Sequence, residues 1–193
     1  PYQRLVISNI LDATSEESAG EIRGQIVILP TGSGKSLCFS LPALLLPHPT
    51  LVVFPLLALM ADQARRLNHA GIDVCILKGG QTHSERDAML TGLEAGKTKL
   101  IISNPETLIA GGITERLHTI GISHLVVDET HTVSEWGDTF RPAYLEVGKI
   151  AKALGNPLIT AFTATASEHI IERIREIIFA GEAPRIVAGN PDR

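Results

Sequence analysis

The stretch that most constrains the fold is Gln25–Leu45, which reads QIVILPTGSGKSLCFSLPALL. Gln25–Leu29 is an apolar run rich in β-branched residues, and Pro30 ends it. A helix-compatible segment then begins near Gly34. The order of elements is therefore predicted to be a strand, a glycine-rich loop and a helix, which is the setting of a phosphate-binding loop.

The residue types within this loop suit a bound nucleotide. Gly32 and Gly34 let the backbone curl so that successive N–H groups converge, and the start of the helix adds positive potential there. Lys35 is expected to reach the β- and γ-phosphates, and the Ser36 hydroxyl is expected to hold Mg²⁺. Leu29 stands where the general pattern G-x-x-x-x-G-K-[ST] has its first glycine. The alternative is a glycine-rich turn with a solvated lysine, but the strand-to-helix context favours the phosphate loop.

Apolar runs alternate with helix-compatible segments along the rest of the chain. The runs are continuously apolar, which is typical of parallel strands that are covered on both faces. This pattern predicts an α/β fold with a mainly parallel sheet of about seven strands and helices on both faces. The predicted strands are residues 25–29, 50–54, 73–77, 99–103, 125–128, 157–163 and 185–188.

Composition narrows the class of protein. The 193 residues are 44% hydrophobic, which is enough for one domain with a sizeable core. No run approaches the roughly 20 apolar residues of a membrane span, and no charged-then-apolar leader opens the sequence. We therefore expect a cytoplasmic protein without a membrane partner. The net charge of −4 disfavours wholesale nucleic-acid binding, so any DNA contact must be local.

The two cysteines give a further expectation. Cys38 and Cys75 lie in apolar segments and lack a C-x-x-C partner. They are predicted to be buried thiols rather than zinc ligands.

Two consecutive acidic residues, Asp128 and Glu129, follow the apolar run Leu125–Val127. In open parallel sheets, ligands bind beyond the carboxyl ends of the strands. Carboxylates at such an end are costly unless a cation uses them. Asp128 is expected to hold Mg²⁺ through water, and Glu129 to orient or deprotonate the water that attacks the γ-phosphate. Such a pair alone is more often a solvated turn, but a phosphate loop in the same chain favours ATP chemistry.

Five segments, in order, carry a family resemblance. They are LPTGSGKSLCFSLPALL, FPLLALMADQ, SNPETL, VVDETHTVSEWGDTFRPAY and AFTATAS. With these segments the chain resembles the first RecA-like motor domain of superfamily 2 helicases, specifically the RecQ DNA helicases. The resemblance implies ATP and Mg²⁺ as cofactors. It also implies that the parent protein moves 3′ to 5′ on DNA that has a single-stranded 3′ tail.

The same resemblance assigns roles by position. Gln3, in PYQ, would read the adenine edge; the alternative is a glutamine on a helix surface. His131, Thr163 and Thr165 would link the nucleotide to the DNA side. The residues implied to cradle the phosphates are Thr31, Gly32, Ser33, Gly34, Lys35 and Ser36. The implied catalytic set is Lys35, Asp128, Glu129 and His131.

Trp136, Phe140 and Arg141 match the loop that senses single-stranded DNA in RecQ proteins. Bases stack on exposed aromatic rings and guanidinium planes, with about 1 to 3 kcal/mol per base. The alternative is that Trp136 and Phe140 are core residues.

Some positions depart from the family pattern. Phe54 and Ala58 replace two serines of the segment that begins at Phe54, and Asp138 replaces a histidine of the aromatic loop. With Glu135, Asp138 places negative charge beside the implied DNA path, where it would repel phosphates. The phosphate loop therefore predicts ATP binding, whereas these acidic residues disfavour tight DNA binding.

The resemblance also predicts the domain organisation. Residues 1–184 would form the ATP-binding domain, and residues 185–193 would begin the linker to a second RecA-like domain. That second domain would supply an arginine finger, so this chain is expected to bind nucleotide and to hydrolyse it poorly. The protein would work at the nucleoid of a bacterium or in the nucleus of a eukaryote.

Two other functions remain open. One is a nucleotide-dependent DNA-binding or regulatory module that has lost unwinding. The other is an RNA-directed ATPase, which is disfavoured because the spacing in WGDTFRP is not that of RNA members.

Overall fold

The structure is a computed structural model that describes residues 2–14, 24–110, 112–132, 142–165 and 167–189. Its strands are β1 Gly24–Ile28, β2 Thr50–Val53, β3 Val74–Ile76, β4 Leu100–Ser103, β5 His124–Val127, β6 Leu158–Thr163 and β7 Arg185–Ala188. Its α-helices are α1 Tyr2–Ala13, α2 Lys35–Leu45, α3 Leu57–His69, α4 His83–Glu94, α5 Pro105–Ile109, α6 Ile113–Ile120, α7 Val147–Ala153 and α8 Glu168–Ile178, with a 3₁₀ helix at Pro142–Glu146.

The strands form one sheet in the order β3-β4-β2-β5-β6-β1-β7. Every pairing among them is parallel. The predicted fold, a mainly parallel sheet of about seven strands, is thereby confirmed. Because the strands are parallel and their ends are in register, their carboxyl ends meet at one rim of the sheet.

Helices cover both faces of this sheet, as predicted. Neighbouring residues of β1 point to opposite faces, because side chains alternate along a strand. Ile26 belongs to the core beneath α4 to α8, and Val27 belongs to the core beneath α1 to α3. Both strand residues are fully buried, which explains why the strands read as continuous apolar runs.

Three local features go beyond what the sequence pattern predicts. The cap of α4 is Thr82, because Thr82 and Glu85 form a reciprocal capping box. Pro42 lies inside α2 and does not end it, and the Leu46 N–H donates to the Pro42 carbonyl at 2.9 Å. Helix α6 was not predicted; it begins after Gly112, which has a positive φ of 73° that favours glycine.

The end of the predicted domain also needs adjustment. Arg185–Ala188, which a boundary after residue 184 assigns to the linker, forms β7 and pairs with β1 along its length. The Gly189 N–H extends this pairing by donating to the Ile28 carbonyl at 2.9 Å. A boundary after residue 184 would remove this strand from the sheet, so the domain reaches at least Ala188.

Both cysteines are free and buried, as predicted. Burial raises the pKa of Cys38 to about 11 and that of Cys75 to about 12. The thiols are therefore protonated and act as small apolar groups. In the described ranges, no helix combines the length and the apolar character needed to cross a bilayer.

The contact between α7 and α8 gives a first prediction, at Gly148. A Cβ atom there would lie 2.3 Å from the Ile177 carbonyl oxygen, which is backbone and cannot rotate away. Gly148→Ala should therefore lower the free energy of unfolding by about 1 to 3 kcal/mol, measured by urea denaturation. The matched control is Gly92→Ala in α4, where a Cβ meets nothing within 4 Å. This control should be neutral or stabilising, and equal effects of the two substitutions would contradict the predicted clash.

Candidate nucleotide-binding site

Three strands bring the predicted site together at the carboxyl rim. β6 lies between β1 and β5, so the loops that follow these two strands converge over its end. The Leu29 N–H donates to the Thr163 carbonyl at 3.0 Å, and the Thr130 N–H donates to the Phe162 carbonyl at 2.8 Å. These backbone hydrogen bonds fix the phosphate loop and the acidic segment to the same strand.

The loop after β1 has the curled backbone that an anion site needs. Gly32 and Gly34 have φ angles of +82° and +81°, which residues other than glycine rarely adopt. The Ser33 N–H and hydroxyl donate to the Pro30 carbonyl at 3.3 and 2.7 Å and close the turn. Helix α2 begins at Lys35 without a side-chain cap, so its first N–H groups remain available to an anion.

Leu29 is part of the core rather than of the loop. Its side chain is 3% exposed, and it leaves so little room that a Cβ on Gly189 would lie 2.6 Å from it. The curl of the chain begins only after this position. A leucine can therefore replace the first glycine of the general pattern.

Lys35 joins the two predicted halves of the site. Its Nζ atom lies 3.6 Å from Asp128 Oδ1 and 3.5 Å from Glu129 Oε1. The three side chains are only 11%, 14% and 23% exposed, respectively. Two carboxylates thus share one ammonium group in a partly buried position, which leaves an excess of negative charge.

Burial and the neighbouring charges both act on Asp128. Burial raises the pKa of its carboxyl group, the Lys35 ammonium opposes the rise, and the Glu129 carboxylate adds to it. The Asp128 carboxylate still accepts a hydrogen bond from the Glu129 N–H at 2.9 Å. A divalent cation would remove the remaining excess of charge.

The backbone at this position is unusual. Glu129 has a positive φ of 52°, which is uncommon for a residue with a long side chain and is found often at functional sites. The Tyr144 hydroxyl holds the segment from the side by donating to the Asp128 carbonyl at 2.8 Å. Sequence reasoning gave Tyr144 no role, although it lies within the quoted segment VVDETHTVSEWGDTFRPAY.

The residues present fit Mg²⁺. Ser36 and Asp128 offer hydroxyl and carboxylate oxygens, the ligand type that Mg²⁺ prefers. The Ser36 hydroxyl donates to Gln63 Oε1 at 3.1 Å, so its lone pairs are left for a metal. No group of three or more His, Cys, Asp or Glu side chains able to hold a metal occurs among the described residues. A magnesium ion here would therefore depend on phosphate and water for its other ligands.

Gln3 lies beside the phosphate loop. Its Nε2 group donates to the Ser33 carbonyl at 2.7 Å, which leaves Oε1 as an acceptor for a base. Helix α1, which carries Gln3, is fixed further along by a hydrogen bond of 3.0 Å from Asn9 Nδ2 to Gln25 Oε1. Gln25 is buried, so this contact ties the helix to the core.

His131, Thr163 and Thr165 also lie at this rim. His131 Nδ1 is 3.4 Å from Glu129 Oε2. The Thr163 hydroxyl is fully buried; it donates to the Thr165 carbonyl at 2.8 Å and accepts from the Thr165 N–H at 3.2 Å. The two threonines thus form a tight turn directly beside the phosphate loop.

The structure describes only some of the residues that the sequence places near the implied DNA path. Trp136, Phe140 and Arg141 lie outside the described residues, as do Glu135 and Asp138. Of the two serine replacements, Phe54 is 3% exposed and packs in the core beneath α1 to α3. Ala58 is exposed in the first turn of α3.

A parallel sheet with a phosphate loop after β1 and paired carboxylates after β5 defines a RecA-like nucleotide-binding domain. The family profile described as DEAD/DEAH box helicase matches residues 1–174. The chain belongs to the DEAD/DEAH box helicase family.

Similar proteins of known name refine this assignment. The chain is 37% identical over 161 residues to "Probable ATP-dependent DNA helicase RecS" of Bacillus subtilis, covering 83% of the chain and 32% of that protein. It is 40% identical over 150 residues to "ATP-dependent DNA helicase RecQ" of Synechocystis, covering 75% and 31%. It is 40% identical over 154 residues to mouse "ATP-dependent DNA helicase Q5", covering 77% and 16%. The chain thus spans a third or less of these relatives.

Solved structures confirm the fold. The DUF1998 helicase MrfA, bound to DNA and AMPPNP, superposes with a TM-score of 0.73 at 22% identity, covering 98% of this chain and 27% of that one. The helicase Lhr of Mycobacterium smegmatis, bound to single-stranded DNA and AMP-PNP, gives 0.66 at 26% identity, covering 96% and 25%.

Proposed function

We propose that this chain is the ATP-binding motor domain of a RecQ-like, ATP-dependent 3′-to-5′ DNA helicase. The observation that carries the proposal is the position of Lys35 Nζ, within 3.6 Å of both Asp128 and Glu129 at the phosphate loop. The names of the relatives, ATP-dependent DNA helicases of the RecQ and RecS types, support the choice of DNA as substrate. Such a substrate would place the protein at the nucleoid or in the nucleus.

Within this proposal, each residue of the site has one task. The loop from Thr31 to Ser36 binds the phosphates through backbone N–H groups, and Lys35 leaves its two carboxylates to bind the β- and γ-phosphates. Ser36 and Asp128 would hold Mg²⁺, which would neutralise part of the phosphate charge. Glu129, with His131 near its carboxylate, orients the attacking water. Gln3 presents its free amide oxygen to the adenine amino group.

A second RecA-like domain of the parent protein would complete the cleft. An arginine finger is worth about 10³ to 10⁵ in rate in related phosphoryl transfer. This chain should therefore bind Mg²⁺ and the non-hydrolysable analogue AMPPNP, and turn over ATP slowly. Isothermal titration calorimetry tests the binding. Absence of heat with AMPPNP and Mg²⁺ would refute the proposed nucleotide site.

The proposed binding of single-stranded DNA is tested by substitution of Trp136 in the parent protein. Because base stacking on an aromatic ring contributes about 1 to 3 kcal/mol, Trp136→Ala should weaken single-stranded DNA binding roughly 5- to 100-fold and abolish DNA-stimulated hydrolysis. Basal hydrolysis should persist, and Trp136→Phe should retain part of the stimulation. Equal stimulation of Trp136→Ala and the unmodified protein would indicate a structural tryptophan.

The relatives do not favour a regulatory module without unwinding activity. A strand-separation assay on the parent protein decides this point, and normal unwinding excludes the module. Comparing stimulation by single-stranded DNA and by RNA decides between DNA and RNA as substrate.

A further inference from the structure

We propose that Gln63 of α3 is a positioning residue of the metal site. This inference rests on the proposed function and extends it to a residue that neither the phosphate loop nor the acidic pair includes. Gln63 lies in the middle of α3, 27 residues after Ser36 along the chain, yet its Oε1 atom accepts a hydrogen bond of 3.1 Å from the Ser36 hydroxyl.

The direction of this hydrogen bond matters for metal binding. A serine hydroxyl has one proton and two lone pairs. Because Gln63 accepts the proton, the lone pairs of Ser36 are free to coordinate a cation. Without an acceptor at this position, the Ser36 hydroxyl would rotate and could direct its proton into the metal site. Gln63 therefore holds the hydroxyl in the orientation that a hard cation requires.

The other half of the Gln63 amide supports a role beyond stability. Its Nε2 group is buried and has no hydrogen-bond partner among the described residues. A buried donor without a partner costs stability, so an apolar side chain of similar length would serve the core of the unliganded domain better. A glutamine at this position is understandable if the amide serves the nucleotide-bound state.

The contact also joins two helices that the sheet alone does not couple. Ser36 lies in the first turn of α2, and Gln63 lies in α3, which begins at the carboxyl rim with the exposed residues Leu57 and Leu59. Leu59 is one turn before Gln63 and on the same side of the helix. The hydrogen bond therefore links the first turn of α2 to the middle of α3.

The test measures how much Mg²⁺ strengthens AMPPNP binding to this chain, by calorimetry with Mg²⁺ and with EDTA. Gln63→Met removes both polar groups at nearly constant length. Loss of one hydrogen bond should reduce the Mg²⁺-dependent gain in affinity about three- to tenfold. Gln63→Asn, which withdraws the acceptor by one methylene, should give the same loss. Gln63→Glu, which keeps an acceptor oxygen, should retain the gain.

Two controls separate positioning from a general effect on folding. Arg65→Met changes an exposed side chain of the same helix and should leave the gain intact. In a Ser36→Ala background, Gln63→Met should cause no further loss, because the hydroxyl that it orients is gone. Affinity in EDTA should be the same for Gln63→Met, Gln63→Asn and the unmodified chain.

The outcomes distinguish this inference from the proposed function. If the unmodified chain binds AMPPNP with a Mg²⁺-dependent gain and both Gln63→Met and Gln63→Asn retain it fully, the inference is wrong and the proposed function stands. If the unmodified chain shows no such gain, the metal site itself is wrong. Loss in both variants together with retention in Gln63→Glu supports the inference.

Discussion

Lys35→Ala should lower the affinity for Mg²⁺-AMPPNP roughly 10- to 100-fold, because it removes one or two charge-assisted hydrogen bonds of about 1.5 to 3 kcal/mol in total. In the structure, the Lys35 ammonium group lies 3.5 to 3.6 Å from the carboxylates of Asp128 and Glu129. In the proposed function, nucleotide binding would exchange these partners for phosphate oxygens. Isothermal titration calorimetry measures the change directly.

The same substitution should also lower stability. It leaves two partly buried carboxylates without a cation, at a cost of about 1 to 3 kcal/mol. The fold should survive, since a domain with a core on both faces of its sheet has a margin of about 5 to 15 kcal/mol. Lys35→Met, which keeps the alkyl stem, separates loss of charge from loss of packing and should bind as weakly as Lys35→Ala.

Lys97→Ala is the matched control, because Lys97 is exposed near the opposite rim of the sheet. It should leave AMPPNP affinity unchanged. If Lys35→Ala also left affinity unchanged while the fold persisted, Lys35 would have no part in phosphate binding.

Asp128→Asn should raise the free energy of unfolding of the domain without nucleotide, and it should weaken Mg²⁺-dependent nucleotide binding. Burial raises the pKa of the Asp128 carboxyl group, so its ionised form is disfavoured in the folded state. The neutral asparagine removes this cost and keeps an oxygen that can accept the Glu129 N–H. At neutral pH the gain in unfolding free energy should be about 1 kcal/mol, the usual size of a stabilising substitution. The Mg²⁺-dependent gain in AMPPNP affinity should fall about tenfold or more.

The stability advantage of Asp128→Asn should depend on pH, and the raised pKa of Asp128 gives the direction of this dependence. A carboxyl group whose pKa is raised on folding contributes stability that is fully present below its unfolded pKa, near 3.9, and is lost as pH rises through the folded pKa. At neutral pH, the buried charge of Asp128 lowers the free energy of unfolding of the unmodified domain. In acid, Asp128 is protonated and this loss disappears. The advantage of Asp128→Asn should therefore shrink as pH falls towards the unfolded pKa.

Asp73→Asn is the control for Asp128→Asn. Asp73 is exposed, and its replacement should change stability by less than about 0.5 kcal/mol. Chemical denaturation at several pH values measures both variants. A stability advantage of Asp128→Asn that was constant with pH would show that ionisation of Asp128 is not its cause.

The sequence was sufficient for those parts of the fold that depend on local pattern. Continuous apolar runs located the strands, because every strand of a covered parallel sheet must be apolar on both faces. The glycines, lysine and serine of the phosphate loop are close in sequence, so phosphate binding could be predicted from the sequence alone. The convergence of Lys35 with Asp128 and Glu129 followed from the rule that ligands lie beyond the carboxyl ends of strands.

Other parts depend on contacts between distant segments. Gln63 is the last residue of the segment FPLLALMADQ, and no pattern in the sequence pairs it with Ser36. Their hydrogen bond joins positions that are 27 residues apart along the chain. The sequence also gave no sign of the role of Tyr144. Its hydrogen bond to the Asp128 carbonyl joins the 3₁₀ helix to the end of β5. Helix α6 is only eight residues long, and packing of Leu117 in the core stabilises it.

The most direct test of the nucleotide site is a crystal structure of this chain with AMPPNP and Mg²⁺. The γ-phosphate should lie within hydrogen-bond distance of Lys35 Nζ, and the metal should lie between Ser36 and Asp128. A cavity of about 440 Å³ at the opposite rim, lined by residues that include His48, Lys99 and Thr119, offers a clear contrast. A nucleotide bound in that cavity, or anywhere away from the phosphate loop, would contradict the proposed site.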